Sequence, residues 1–171
     1  MTQGAATQVE ILVVGAGPAG AITARGLALA GAKVTMVDKA RFPRRKVCGC
    51  CLNGNALAAL QSVGLGDLPG KLRAIPLHSF VTASAGRIAT VPLKGVSLSR
   101  DALDMALIEE AVKAGVEFKE GVTHSQNAGT SRIAITVFAN GLNGVPSTST
   151  KTSRLGAGVV LNDAPTFYQP G

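Results

Sequence analysis

The sequence predicts an α/β fold built on a parallel sheet, and three observations carry that prediction. Residues 9–14 form a short, β-branched apolar run that leads directly into a glycine cluster and an Ala/Leu-rich stretch. A second run, Val34-Thr-Met-Val-Asp38, follows at once. Farther along, residues 96–118 again pass from strand character to helix and back to strand. Short apolar runs alternating with helical stretches are the signature of strands joined by crossover helices.

The run from Val9 to Val14 is apolar and β-branched apart from Glu10, and has the look of a parallel strand buried on both faces. It ends in Gly15-Ala-Gly17-Pro-Ala-Gly20, a Gly-x-Gly-x-x-Gly turn. Such clusters are common, but a strand before and a helix after are the context that makes one a dinucleotide-binding turn. Gly15 permits the sharp turn out of the strand, Gly17 lets the backbone approach a pyrophosphate, and Gly20 allows close helix–strand packing. Free N–H groups at the helix start, together with its dipole, then face the phosphates. Pro18 suits the first helical position, where its missing N–H loses nothing. The helix runs from Ala19 to Ala30 and stops at Gly31. Asp38 closes the next strand near the spacing of about 20 residues at which a carboxylate meets the ribose hydroxyls. The competing reading is a strand–turn–helix that binds no phosphate.

Of the formal charge of +7, Lys39, Arg41, Arg44, Arg45 and Lys46 supply five positive charges. A cluster this local, beside a phosphate turn, favours a small anionic ligand over a nucleic-acid track. A solvated basic loop or a localisation signal is the alternative. Aromatics are only 4% with no Trp, which argues against a stacking platform for single strands. With 46% hydrophobic and 16% charged residues, the 171-residue chain is globular rather than disordered. Residues 11–37 are apolar, but Arg25, Lys33 and the glycines interrupt them, so no membrane span is expected. No secretory signal is visible at the amino end, and a cytoplasmic location is expected.

All three cysteines lie in Cys48-Gly49-Cys50-Cys51. The Cys48/Cys51 spacing permits a redox dithiol or half a zinc site, and small buried thiols are the plain alternative. Zinc requires four ligands, and His78 and His124 stand alone, so no metal site is expected. Next, residues 53–63 read as a short helix. Leu77–Val81 and Ile88–Val91 read as a β-hairpin around Ser84-Ala-Gly86. Ser99 is a good N-cap for a helix with Asp101 and Asp104 in its first turn and Lys113 in its last. Leu103, Ala106, Leu107, Ala111 and Ala114 give that helix an apolar stripe, Gly115 ends it, and Val116–Phe118 resumes as a strand.

The glycine turn, the acidic strand end and Arg41-Phe-Pro-Arg44-Arg-Lys-Val-Cys48-Gly49 together resemble the FAD-dependent oxidoreductases of the geranylgeranyl reductase and aromatic-ring hydroxylase superfamily, to which flavin-dependent halogenases are related. A second element, Val96-Ser-Leu-Ser-Arg100-Asp-Ala-Leu103-Asp104, resembles that superfamily's strand, Arg-x-x-Leu-Asp and long helix. The resemblance implies an α/β, Rossmann-like FAD/NAD(P)-binding domain with a parallel sheet, a β-hairpin insertion and an incomplete C-terminal part. It implies a cofactor-binding set as well. Gly15, Gly17, Pro18, Ala19 and Gly20 would hold the FAD pyrophosphate, and Asp38, followed by Lys39, the adenosine ribose. Arg41 through Lys46 would lie along the diphosphate and ribityl chain, and Arg100 would contact the cofactor from its helix start. Cys48 and Gly49 would lie near the isoalloxazine, and Val122 where the backbone meets adenine. No catalytic residue is implied.

The resemblance covers residues 8 to about 122. Residues 123–130 are short and polar, 133–138 could form a strand, and Ala139-Asn140-Gly141-Leu-Asn-Gly144 is a degenerate form of a family turn. A hydroxyl-rich loop occupies 146–153, and 153–161 resembles the opening strand of a substrate domain. The expected organisation is an incomplete FAD-binding domain over 1–145, then the loop and first strand of a truncated substrate domain over 146–171. The expected function is the FAD-binding part of a flavin-dependent reductase or monooxygenase of lipid-like or aromatic substrates, impaired by truncation. NAD(P)H is the candidate electron donor of a full-length parent. The alternatives are a catalytically inert fragment binding NAD or adenine nucleotide and, as a minor option, a thiol redox protein.

Overall fold

A computed structural model describes residues 8–46, 51–124 and 133–141, leaving out the side chain of Ala83. The described chain divides into two units: residues up to Arg44 with those from Asp104 on, and residues Arg45 to Leu103. Cys48, Gly49 and the tail over 146–171 lie outside the described residues.

The first unit is built on a parallel sheet. Strand β1 (Glu10–Val14) leads into helix α1 (Pro18–Leu29), which returns the chain to β2 (Lys33–Asp38). With β6 (Glu117–Glu120) and β7 (Ile135–Phe138) these strands form a sheet in the order β6-β2-β1-β7. All three pairings are parallel, with Leu12 opposite both Thr35 and Thr136, and Val37 opposite Lys119. The expected burial holds from Ile11 on but not at the start of the run, where Val9 is exposed and Glu10 part-buried; Leu12, Val13, Met36 and Val37 are at most 1% exposed. Helix α1 buries Gly20, Ala21 and Ala24, small residues that let it lie close to β1 and β2. It ends as expected, with the Gly31 N–H returning to the Ala28 carbonyl at 2.9 Å.

The second unit holds β3 (Cys51–Asn53), α2 (Gly54–Ser62), the short α3 (Leu68–Lys71), and the hairpin of β4 (Ile75–Ser84) and β5 (Arg87–Ser97). Its sheet is antiparallel, in the order β3-β5-β4. The hairpin turn has two residues, Ala85 and Gly86, with φ of 48° and 74°, the positive values that a tight turn between right-twisted strands requires. The strands run longer than their most apolar stretches, and His78 sits at a register irregularity between Leu77 and Ser79. Helix α2 falls within the expected 53–63, with Asn53 as its N-cap, Oδ1 accepting the Ala56 N–H at 2.9 Å.

Helix α4 (Arg100–Lys113) begins in the second unit and continues in the first. Ser99 caps it, Oγ accepting the Ala102 N–H at 3.4 Å. Its buried face takes Leu103, Ala106, Leu107 and Ala111 as expected, and adds Ile108 and Asp104. The strand–helix–strand order over 96–118 holds with one difference: its strands do not share a sheet. β5 pairs antiparallel with β3 and β4, whereas β6 pairs parallel with β2. Sequence order shows that two strands flank a helix, but partners are chosen by long-range packing.

None of the described helices is long and apolar enough to cross a membrane.

Candidate functional site

The β1–α1 turn is the strand-to-helix bend its glycines call for. Gly15 has φ of +105°, and a Cβ there would stand 2.5 Å from the Ala139 carbonyl oxygen, so both conformation and space demand glycine. A Cβ on Gly20 would run into the Gly15 carbonyl oxygen, which is the close packing expected of that position. Gly17 differs from both. Its φ of −72° is ordinary, and a Cβ there would meet only the Arg44 Nη2, at 3.7 Å. The fold therefore has no need of glycine at 17, and the bareness serves whatever approaches the turn. Pro18 and Ala19 open α1, whose first turn leaves N–H groups without intrahelical partners.

Asp38 ends β2 beside this turn and is 7% exposed. Its Oδ2 accepts the Ala16 N–H at 2.9 Å and its Oδ1 the Ala40 N–H at 2.8 Å. The carboxylate thus braces the glycine turn against the end of β2, a role the spacing argument did not contain. An ionised carboxylate offers about four acceptor positions, so two backbone bonds leave room for hydroxyl donors. Arg44 Nη2 lies 3.7 Å from Oδ2, an ion pair beyond hydrogen-bond distance.

The basic loop sorts its two arginines of this unit. Arg44 lies over the glycine turn, while Arg41 packs beside Gly121, where a Cβ would stand 3.7 Å from its Nε. The loop is tied to the end of β6 by three bonds: Phe42 N–H to Glu120 Oε2 at 2.8 Å, Gly121 N–H to the Ala40 carbonyl at 3.1 Å, and Val122 N–H to the Asp38 carbonyl at 3.0 Å. Val122 packs with Ile133 against the cluster of Leu12, Val14 and Val37. The first unit therefore brings Gly15, Gly17, Gly20, Asp38, Arg41 and Val122 to one end of the parallel sheet, with Lys39 exposed beside them. Lys46 is exposed, and Arg100 opens α4; both belong to the second unit. Among the described residues no group of three or more His, Cys, Asp or Glu is placed to hold a metal ion.

Two features of this structure fit a diphosphate-bearing cofactor. The backbone at Gly17 is open with no steric need for glycine, and the Arg44 Nε is buried with no hydrogen-bond partner among the described residues. Anions with several acceptor oxygens suit both.

Comparison with known proteins agrees with this geometry. The sequence profile of the family described as FAD binding domain matches residues 8–137. The chain belongs to that FAD-binding family. Menaquinone reductase of Mycolicibacterium smegmatis is 39% identical over 92 residues, covering 53% of this chain and 22% of that protein. Digeranylgeranylglycerophospholipid reductase 1 of Methanopyrus kandleri is 32% identical over 122 residues, covering 71% of this chain and 32% of that protein. Among solved structures, 2-methyl-3-hydroxypyridine-5-carboxylic acid oxygenase superposes with a TM-score of 0.60 at 22% identity, over 68% of this chain and 32% of that one. A variant of halogenase PltM in complex with FAD superposes with a TM-score of 0.59, also at 22% identity, over 68% of this chain and 28% of that one. The solved structures establish the Rossmann-like fold of this FAD-binding domain. The chain spans 22% and 32% of the lengths of the two curated relatives.

Proposed function

We propose that this chain is the FAD-binding part of a flavin-dependent oxidoreductase, on the reductase side of its superfamily, whose substrates are lipid-like. The observation that carries the proposal is the open backbone at Gly17 within a family-matched glycine turn, beside a braced carboxylate and an arginine. The reductase direction is supported by the named reductases among its relatives, at 39% and 32% identity. Bound FAD supplies the electron chemistry, and the protein supplies position and electrostatics.

Under this reading Gly15, Gly17, Pro18, Ala19 and Gly20 receive the diphosphate on backbone N–H groups and the helix start. Asp38 accepts from the adenosine ribose with the lone pairs its two backbone bonds leave, and Lys39 and Arg41 flank it. Val122 and Gly121 form the adenine edge, which moves Arg41 toward the nucleotide end rather than the ribityl chain. Lys46, Cys48, Gly49 and Arg100 serve the flavin end. NAD(P)H is the electron donor of the complete enzyme, and the protein works in the cytoplasm.

Titrating purified protein with FAD and following flavin absorbance and fluorescence tests the proposal. Saturable binding that ADP competes for, and riboflavin does not, is the expected result. Binding of NAD in preference to FAD would replace the proposal with that of an adenine-nucleotide module. No binding of either would end both.

A further inference from the structure

The hairpin of β4 and β5 takes no part in the proposed function, yet its surface is unusual. From Phe80 to Pro92 every residue whose side chain is described is exposed. Phe80, Val81, Ile88 and Val91 are each more than half exposed. The register sets them on both faces of the hairpin. Phe80 stands opposite Val91 on one face, while Val81 opposite Thr90 and Ile88 opposite Ala83 share the other. A hairpin that rests on a single partner buries one face and keeps the other polar. This one carries large apolar side chains on both, so the medium that suits it must surround it.

Charge narrows the choice of medium. Over 68–100 the sequence holds five cations, Lys71, Arg73, Arg87, Lys94 and Arg100, and no Asp or Glu. Lys71 pairs back to Asp67, ahead of the hairpin. Arg87 sits beside the turn, opposite Ser84, and Lys94 lies toward the far end of β5; both are exposed. The two cations thus bracket the apolar stretch. A second copy of the chain would bring these cations against their own kind, and a nucleic-acid backbone would leave the apolar side chains in water.

We propose that the β4–β5 hairpin docks this protein on an anionic lipid bilayer surface. Phe80, Val81, Ile88 and Val91 enter the boundary between head groups and acyl chains, which surrounds both faces. Arg87 and Lys94 reach the lipid phosphates while their aliphatic stems stay beside the apolar residues. The hairpin and the glycine turn belong to different units, and docking needs no FAD, so this inference and the cofactor reading fail separately.

Sedimentation of the whole chain with sucrose-loaded vesicles tests it, comparing mixed phosphatidylglycerol and phosphatidylcholine with phosphatidylcholine alone. Binding to the mixed vesicles is expected to be at least about tenfold tighter and to weaken with salt. Arg87→Ala with Lys94→Ala should lower it by about fivefold for each cation removed. Phe80→Ser with Ile88→Ser should lower it by at least about tenfold. The two variants are independent, so either decides the matter if the other misfolds. Leu29→Ser removes an equally exposed apolar residue at the end of α1 and should change nothing. Absence of vesicle binding, equal binding to both vesicle types, or an equal loss in Leu29→Ser would each overturn the proposal. So would a dimer, seen by sedimentation velocity, that Phe80→Ser with Ile88→Ser breaks in a protein that ignores vesicles. An FAD titration of the same preparations is read separately: vesicle binding without FAD binding leaves the docking surface standing and sinks the cofactor reading, and the reverse result sinks only the docking surface.

Discussion

Alanine at each of the three turn glycines separates folding from cofactor binding, because the structure gives each position a different reason to be glycine. At Gly17 an added Cβ meets only the flexible Arg44, at 3.7 Å, and φ of −72° suits any residue. Gly17 is also the N-cap of α1, where alanine costs about 0.5–1 kcal/mol relative to glycine. The reduced freedom of the unfolded chain returns about 0.4–1 kcal/mol. These offset one another, so Gly17→Ala should leave stability within about 0.5 kcal/mol of the wild type. At Gly20 the Cβ would collide with the Gly15 carbonyl oxygen, a backbone atom that cannot move without bending β1 away from α1. Overpacking of that kind costs about 1–3 kcal/mol or more. FAD should respond in a different order. A methyl at 17 stands between the phosphates and the backbone amides, and losing one or two charge-assisted hydrogen bonds costs about 1.5–3 kcal/mol each. Two such losses weaken Kd by at least about a hundredfold. Urea unfolding and flavin-fluorescence titration of the same preparations read both quantities. A folded Gly17→Ala protein that binds FAD within about threefold of the wild type would refute the reasoning. So would a Gly20→Ala protein as stable as the wild type.

Three further predictions follow from named contacts. Asp38→Asn keeps the shape of the side chain but offers one acceptor oxygen to two backbone N–H groups, so one of them faces a donor. A loss of about 1–3 kcal/mol in urea unfolding is expected, and an unchanged midpoint would mean the brace carries no stability. On the hairpin, Phe80 is 59% and Ile88 74% exposed, so Phe80→Lys with Ile88→Lys should raise solubility in a concentration-series light-scattering measurement without altering FAD affinity. A drop in affinity would show that the hairpin takes part in binding. Finally, hydrogen bonds hold three carboxyls below their ordinary values: Asp67 through Lys71, Asp101 through Ser99, and Glu117 through Lys119 and Thr35. Their stabilising contribution is complete above the ordinary values of 3.8 and 4.5 and fades as pH falls through the lower folded values. Lys113, raised by Glu110, contributes below its ordinary 10.5 and loses that contribution as pH rises through its higher folded value. Unfolding followed across pH should therefore show small, salt-sensitive losses at both ends, and a gain in stability on acidification below 3.8 would contradict the assignment.

What the chain alone determined is local. The β1–turn–α1–β2 order was legible because apolar continuity, Pro18 at the first helical position and Gly31 past the last are near-neighbour signals. The same holds for the Ser99 cap and for the hairpin around Ala85-Gly86. Strand β3 was missed, since three residues beginning at the last cysteine of the cluster carry no readable period. Only the tertiary structure decided which strands pair: β6 lies beside β2 because Thr35 and Glu117 come into register across 82 positions of chain, and no local pattern encodes a partner. It also decided that Asp38 spends two bonds on the amides of Ala16 and Ala40, and that Arg44 rather than Arg41 covers Gly17. Propensity and spacing act over one turn or one pleat, whereas the direction in which a long charged side chain folds depends on what the rest of the chain brings to meet it.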